Sequence, residues 1–223
     1  MMGTKFDIPR LKLRERTGVY ATGRARILQI LETAFDIVMT KGYAALSLRE
    51  IARACEIRVG AVSYYYRTKE DLIRDLLESA VAPYKDFAED IERNDTIAPE
   101  QKFRIMVEMV LEDIRTEKTT KFYPELWALS NHDPFVSNLL DQTYSAQRAV
   151  FQRIIRSINP SLSEETARDL ALYVSSSLEG MTLFVGYERS QADKFDRMNK
   201  LAVDNLLDVV RRATDTIFDE PGR

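Results

Sequence analysis

Two hydroxyl–carboxylate pairs at capping-box spacing, Ser47 with Glu50 and Thr68 with Asp71, enclose the stretch SLREIARACEIRVGAVSYYYRTKED and fix two helix starts. After the first, Leu48, Ile51, Ala52 and Cys55 fall on one face at helical spacing. A second short helix is predicted from about Val59 to Tyr65, with Val62 inward and Ala61, Ser63 and Tyr64 outward. The third opens at Lys69. A short helix that exposes small and hydroxylated side chains between cations such as Arg49 and Arg58 suits a DNA major groove. The expectation is a helix-turn-helix.

These residues resemble the TetR family of transcriptional regulators. The family's pattern is met by Ser47, Ile51-Ala52, Ile57, Gly60, Val62, Tyr65-Tyr66 and Lys69, within a match of about fifty residues. Three positions depart from it. Glu56 stands where glycine is common, Arg58 where a serine cap is usual, and Ser63 where tyrosine is frequent. Glu56 strains the turn if its φ must be positive. Arg58 gives up a cap but offers a cation to phosphate. The resemblance implies that Ser47, Tyr65 and Lys69 hold phosphates, and that Tyr66 joins the small domain to the next helix. Gly60 is expected to permit close approach of the backbone to the groove, with Val59, Ala61, Ser63 and Tyr64 facing base edges.

Charge divides the chain the same way. Residues 1–69 hold 13 Lys/Arg against 6 Asp/Glu, and residues 70–223 hold 19 against 29. A basic module on an acidic body points to a polyanionic partner for the first part only. Residues 1–23 lack sustained periodicity but carry Lys5, Arg10, Lys12, Arg14 and Arg16, so a flexible basic arm is expected. It suits either a solvated tail, the favoured reading, or a strand that tracks phosphate or the minor groove.

Helical periodicity runs through nearly all the rest, and the fold class expected is all-α. The domains read as the arm 1–23, a three-helix DNA-binding domain 24–68, and a helical effector-binding and dimerisation domain 69–223. The first helix carries Ile27, Ile30, Leu31, Ala34, Phe35 and Val38 and stops at Gly42. Helix 4 is predicted from Lys69 to about Glu92, with a kink or break at Pro83. Helix 5 opens at Pro99, a short helix spans about Phe122 to Ser130, and Asp133-Pro134 caps a helix reaching Ile158. Two long helices close the chain, the first after Ser163 and the second from near Asp193 through Ala213 to Ile217.

The first of the two is apolar round most of its circumference, as a helix covered by a partner subunit would be. TetR-like proteins dimerise through their last two helices, and the resemblance implies a homodimer with Tyr173, Leu178, Met181, Leu206 and Val209 at the interface. It also implies a palindromic double-stranded DNA operator, repression, and release by a small-molecule effector. Met106, Met109, Tyr123, Trp127 and Phe184 are the candidate effector contacts, and they suit an apolar or aromatic compound. Nearby Glu125 and Glu112 keep a cation open. Trp127 suits a core position equally well.

Other chemistries find little support. The one histidine, His132, excludes His-rich metal sites, and no phosphate-cradling glycine loop or glycine-flanked serine occurs. No catalytic residue, metal or cofactor is expected. The single Cys55 reads as a small packed residue, and a reducing cytoplasmic setting is expected. There is no membrane-length apolar run and no apolar signal segment. The alternative, from a different class, is an all-α enzyme or small-molecule carrier with an incidental helix-turn-helix.

Overall fold

A computed structural model of the chain describes residue 6, residues 8–13 and residues 21–218. Among these the regular structure is helical: α1 (Ala21–Lys41), α2 (Leu48–Ala54), α3 (Val59–Tyr65), α4 (Lys69–Arg93), α5 (Pro99–Ile114), α6 (Glu117–Ser130), α7 (Pro134–Ile158), α8 (Glu164–Val185) and α9 (Phe195–Arg212). The described residues divide into two compact units. One takes those within 8–86 and 121–141, the other those within 87–120 and 142–223 together with Phe6. This differs from a cut at residue 68, because the first half of α4 and most of α6 belong with the small N-terminal helices.

In the first unit, α1 buries Ile27, Ile30, Leu31, Ala34, Phe35, Ile37 and Val38, the expected stripe plus Ile37. Phe35 stacks on Phe122 of α6 with ring centroids 4.3 Å apart. The chain leaves α1 through Gly42 at φ 78°, a left-handed conformation that suits glycine. Glu125 on α6 closes this corner by accepting a bond from the Tyr43 amide at 3.1 Å. That task accounts for a carboxylate considered above as a cation ligand.

Ser47 caps α2 by accepting from the Glu50 amide at 3.1 Å. Glu50 departs from the reciprocal capping box, since its carboxylate bonds Arg53 and Lys41 instead. The turn into α3 is a Schellman closure: the Ile57 amide donates to the Ala52 carbonyl at 2.9 Å and the Glu56 amide to Arg53 at 3.2 Å. Glu56 sits at φ 55°, so the positive angle suspected from its place in the pattern is real. Arg58 makes no side-chain cap for α3. Cys55 is buried and donates from Sγ to Thr33 Oγ1 at 3.1 Å, a packed thiol.

Helix α4 runs unbroken through Pro83, which corrects the expectation of a break. Proline lacks the amide that would bond the carbonyl four residues earlier, that of Ser79. The Lys12 amide fills the gap, donating to Ser79 O at 2.9 Å. Lys12 also pairs with Asp86, while Arg10 pairs with Asp36 and lies 4.1 Å from the centroid of the Phe35 ring. Much of the arm 1–23, including Lys5, Arg14 and Arg16, lies outside the described residues. Its part at 8–13 is held against α1 and α4.

In the second unit, α5 starts at Pro99 as expected. Helix α6 begins at Glu117, more than a turn before Phe122, because the Thr116 hydroxyl accepts from the Thr119 amide at 3.3 Å. Asn159, which ends α7, donates to the Val210 and Ala213 carbonyls at 3.1 and 2.9 Å and so caps α9. Helix α9 therefore stops at Arg212, and Ile217 lies beyond it, exposed. After α8, Gly186 is obligatory: a Cβ there would stand 2.5 Å from Thr182 O and 2.7 Å from Thr120 Oγ1. Ion pairs such as Arg104–Asp204 at 2.9 Å are largely solvent-facing and worth at most about 1 kcal/mol each. The buried apolar faces carry the unit.

Glu56 gives a direct test of the turn. A non-glycine residue in the left-handed region costs about 1–2 kcal/mol, part of which glycine regains as lost chain entropy. Glu56→Gly should raise the free energy of unfolding in urea by about 1 kcal/mol. No gain would mean that the Glu56 side chain compensates its own backbone.

Candidate functional site

The outward face of α3 is the surface that the sequence singles out. Val62 is fully buried and turns α3 so that Val59, Gly60, Ala61, Ser63 and Tyr64 face solvent. Tyr64 is 82% exposed, unusual for a ring of its size. A Cβ added at Gly60 would meet nothing within 4 Å, so nothing in the protein's own packing requires glycine there. Tyr65 is half-buried and packs edge-on against Tyr64, with centroids 5.0 Å apart. Tyr66 is buried and donates its hydroxyl to Asp75 on α4, as the junction role asks.

The cations around this face divide into engaged and open. Arg53 and Lys41 hold the Glu50 carboxyl down to about 2, Arg53 contributing most. Arg49 and Arg58 are exposed and hold no ion pair among the described residues. Ser47, at the α2 cap, is exposed and keeps its hydroxyl proton available, since its oxygen is the acceptor in the cap. Lys69, expected at a phosphate, has a partner that sequence reasoning missed. Its Nζ donates to Tyr43 O at 3.2 Å and lies 3.6 Å from the Tyr43 ring centroid. Burial lowers its pKa. Two of the ammonium's three donors remain for an anion at the start of α4.

A second surface lies on α8 and α9. Leu172, Tyr173, Leu183, Phe184 and Leu201 are all exposed, although α8 already buries Leu170, Val174, Leu178, Thr182 and Val185 on its other side. Three expectations need correction. Leu178 and Leu206, assigned to an interface, are buried inside the protomer core. Phe184, assigned to the effector, is 67% exposed on the outer face. On α8 the reason is that both sides of the helix are apolar; Leu206 belongs to the buried stripe of α9. Met181 and Val209 are half-buried, and Leu172, Leu183 and Leu201 were missed.

The remaining effector candidates do not gather in one unit. Met106 and Met109 are buried in the second, whereas Tyr123 and Trp127 belong to the first. Glu112 pairs with Arg115 at 3.5 Å. The second unit also holds a polar centre that sequence reasoning missed. Glu179 of α8 takes hydrogen bonds from Gln147 and Tyr144 of α7 and faces Asp113 of α5. Burial, and secondarily the Asp113 charge, push its carboxyl up to about 7. A glutamate in the second half of α8, ten residues past the nearest earlier charge and one turn from Ser175, was the available signal.

With the geometry in view, comparison with known proteins is informative. Residues 30–76 match the family model for bacterial regulatory proteins of the tetR family, and residues 99–214 match the C-terminal model of BetI-type transcriptional repressors. The HTH-type transcriptional regulator PksA of Bacillus subtilis (strain 168) is 20% identical over 181 residues, 80% of this chain and 86% of PksA. A TetR-family regulator from Mesorhizobium loti superimposes with a TM-score of 0.67 at 16% identity, over 83% of this chain and 96% of that one. A transcriptional regulator from Saccharomonospora viridis, solved in complex with choline, gives 0.60 at 19% identity over 85% and 97%. At such identities the structural likeness shows the fold. No helix among the described residues is long and apolar enough to cross a membrane.

The Glu179 carboxyl gives a pH signature. Its pKa is higher in the folded chain than the ordinary 4.5, so its contribution to stability is complete below about 4.5 and is lost as pH rises through about 7. Relative to Glu179→Gln, which cannot ionise, the native protein should lose on the order of 3 kcal/mol between pH 4.5 and pH 8. Urea unfolding of both proteins across that range checks it, and a constant difference would mean that Glu179 titrates as if in water.

Proposed function

The chain belongs to the tetR family of bacterial regulatory proteins, a DNA-binding transcriptional regulator, and from that premise we propose that it is a cytoplasmic homodimeric repressor released from a palindromic operator by a small molecule. The observation that carries the DNA-reading part is the outward face of α3. It combines an exposed Tyr64, an unobstructed Gly60 and two open arginines, Arg49 and Arg58. Val59 and Ala61 are suited to thymine methyls, and Ser63 and Tyr64 to hydrogen-bonding base edges. Ser47, Tyr65, Lys69 and the two arginines bind phosphate and set the register.

The dimer is supported by the exposed apolar side chains of α8 and α9, centred on Leu172, Tyr173, Leu183 and Leu201. Covering that face with a second copy gives a four-helix contact, and a homodimer suits two half-sites about 34 Å apart, one turn of DNA. The second unit is the effector-binding body, and Met106 and Met109 are its apolar contacts. Release of about a hundredfold requires the effector to prefer the non-binding conformation by about 2.7 kcal/mol.

The DNA reading has a separable test. Gly60→Ala should fold with equal or greater stability, since its Cβ meets open space and alanine favours a helix. It should nevertheless weaken operator binding at least about tenfold, a cost of about 1.4 kcal/mol. Tyr64→Ala should change sequence preference at one position by about 1–3 kcal/mol, while Lys69→Ala weakens all sequences alike. Affinity measured by fluorescence anisotropy should fall steeply with salt, and indifference to salt would defeat this account.

The assembly test uses the exposed face. The native chain should sediment as a dimer at micromolar concentration, with an interface above about 1,500 Å². Leu183→Glu, at a side chain 55% exposed, should give folded monomers that bind a single half-site weakly. A native monomer, or a dimeric Leu183→Glu protein, would refute the assignment of this face.

A further inference from the structure

Gly180 is a second helical glycine that the protomer's own packing does not require. It stands in α8 more than a turn from either end, where glycine costs stability relative to alanine. Yet a Cβ added there would meet nothing within 4 Å. Two bulky pairs bracket it on the outward face, Leu172-Tyr173 and Leu183-Phe184, eleven residues or about three turns apart. All four side chains are exposed. Between them lie Ser176 and Ser177, whose hydroxyls donate to Leu172 O and Tyr173 O, both at 2.8 Å. Covering these serines therefore strands no hydroxyl proton.

Along the middle of this face the chain reads Tyr173, Ser177, Gly180, Phe184: large, small, small, large, at spacings of four, three and four. The order is the same from either end. A helix that meets its own copy running the other way needs that property, because in a two-fold contact residue i faces j and j faces i. Tyr173 with Phe184 and Ser177 with Gly180 are centred on one point, so a single axis serves both pairs. The small pair lets the backbones approach there, and the rings close the contact on either side.

Charge favours the same occupant. Residues 70–223 hold 29 Asp/Glu against 19 Lys/Arg, so two copies repel unless the surface between them is uncharged. From Leu170 to Tyr187 the one acidic or basic side chain is Glu179, and it is turned toward Tyr144 and Gln147 of α7.

We propose that α8 crosses the partner's α8 antiparallel, with the two-fold axis midway between Ser177 and Gly180. Tyr173 then packs on the partner's Phe184, and Ser177 on the partner's Gly180. This register rests on the homodimer proposed above and fixes where its axis falls.

The test is crosslinking of the full chain in a Cys55→Ser background. Tyr173→Cys and Phe184→Cys chains are refolded together and treated with a short thiol-to-thiol reagent. The mixture should crosslink to dimers. Each variant alone should not, because like positions lie about 16 Å apart along the helices. Benzoylphenylalanine at position 173 keeps the bulk of the ring, so it should photocrosslink to the peptide around the partner's Phe184 even if the cysteine variants dissociate. Gly180→Leu should fold, since its side chain enters open space, yet weaken dimerisation at least about a hundredfold in sedimentation equilibrium. A native dimer whose cysteine variants crosslink each with itself, or whose position 173 reaches residues far from Phe184, overturns the register and leaves the homodimer standing. A Gly180→Leu chain that dimerises like the native one does the same. A native chain that sediments as a monomer overturns both.

Discussion

The bond from the Ile57 amide to the Ala52 carbonyl, closed across a left-handed Glu56, is the constraint on which the outward face of α3 depends. It ends α2 within one residue and sets the direction in which α3 departs. Once α3 departs that way, burying Val62 leaves only one face for Gly60, Ala61, Ser63 and Tyr64 to occupy. Tyr66 then anchors the far end of α3 to Asp75. That face is thus presented by a backbone closure and two buried side chains. The strain at Glu56 is small beside the burial it enables, since each large apolar side chain withdrawn from water contributes roughly 1.5–3 kcal/mol.

Much of this was legible because local chemistry dictates it. Ser47, Asp133 and Ser163 cap helices through bonds to amides two or three residues on, and such spacings survive any tertiary arrangement. Pro99 likewise opens α5 where its missing donor costs nothing. Val62 could be turned inward from its neighbours alone. What escaped depended on elements distant in the chain. The first turn of α6 is polar and rests on Thr116, and a threonine carries no periodic signal. Lys69 meets Tyr43 across 26 residues, a contact that needs the corner at Gly42. The two sides of α8 look alike as sequence, and only packing tells Leu178 from Leu183.

The second unit shows a different economy. Its surface pairs, Arg153 with Glu92 and Arg211 with Glu100, fasten α7 to α4 and α9 to α5 but lie largely in water. Inside, Thr120 satisfies itself and its surroundings by donating to Ile114 O at 2.9 Å and accepting from the Tyr187 amide at 3.0 Å. On α8 and α7, Ser175, Thr182 and Gln147 leave polar atoms unpaired. Thr120 shows that this bundle satisfies buried hydroxyls where structure alone is at stake. The unpaired ones, with Asn199 Oδ1 on α9 and Ser79 Oγ on α4 among them, are exceptions that cost stability.

The bond between Lys12 and the Ser79 carbonyl has a wider consequence. A continuous helix hides its carbonyls from the rest of the chain, and a proline uncovers one of them. Pro83 therefore works as an address: it marks the turn of α4 at which an extended segment can dock by its backbone, whatever its side chains. The segment at 8–13 can then vary in composition while keeping its berth, so long as α4 keeps its proline. Fusions or truncations that displace Lys12 would strip the partner from a carbonyl on a residue 99% buried, a cost of about 1–3 kcal/mol felt far from the cut.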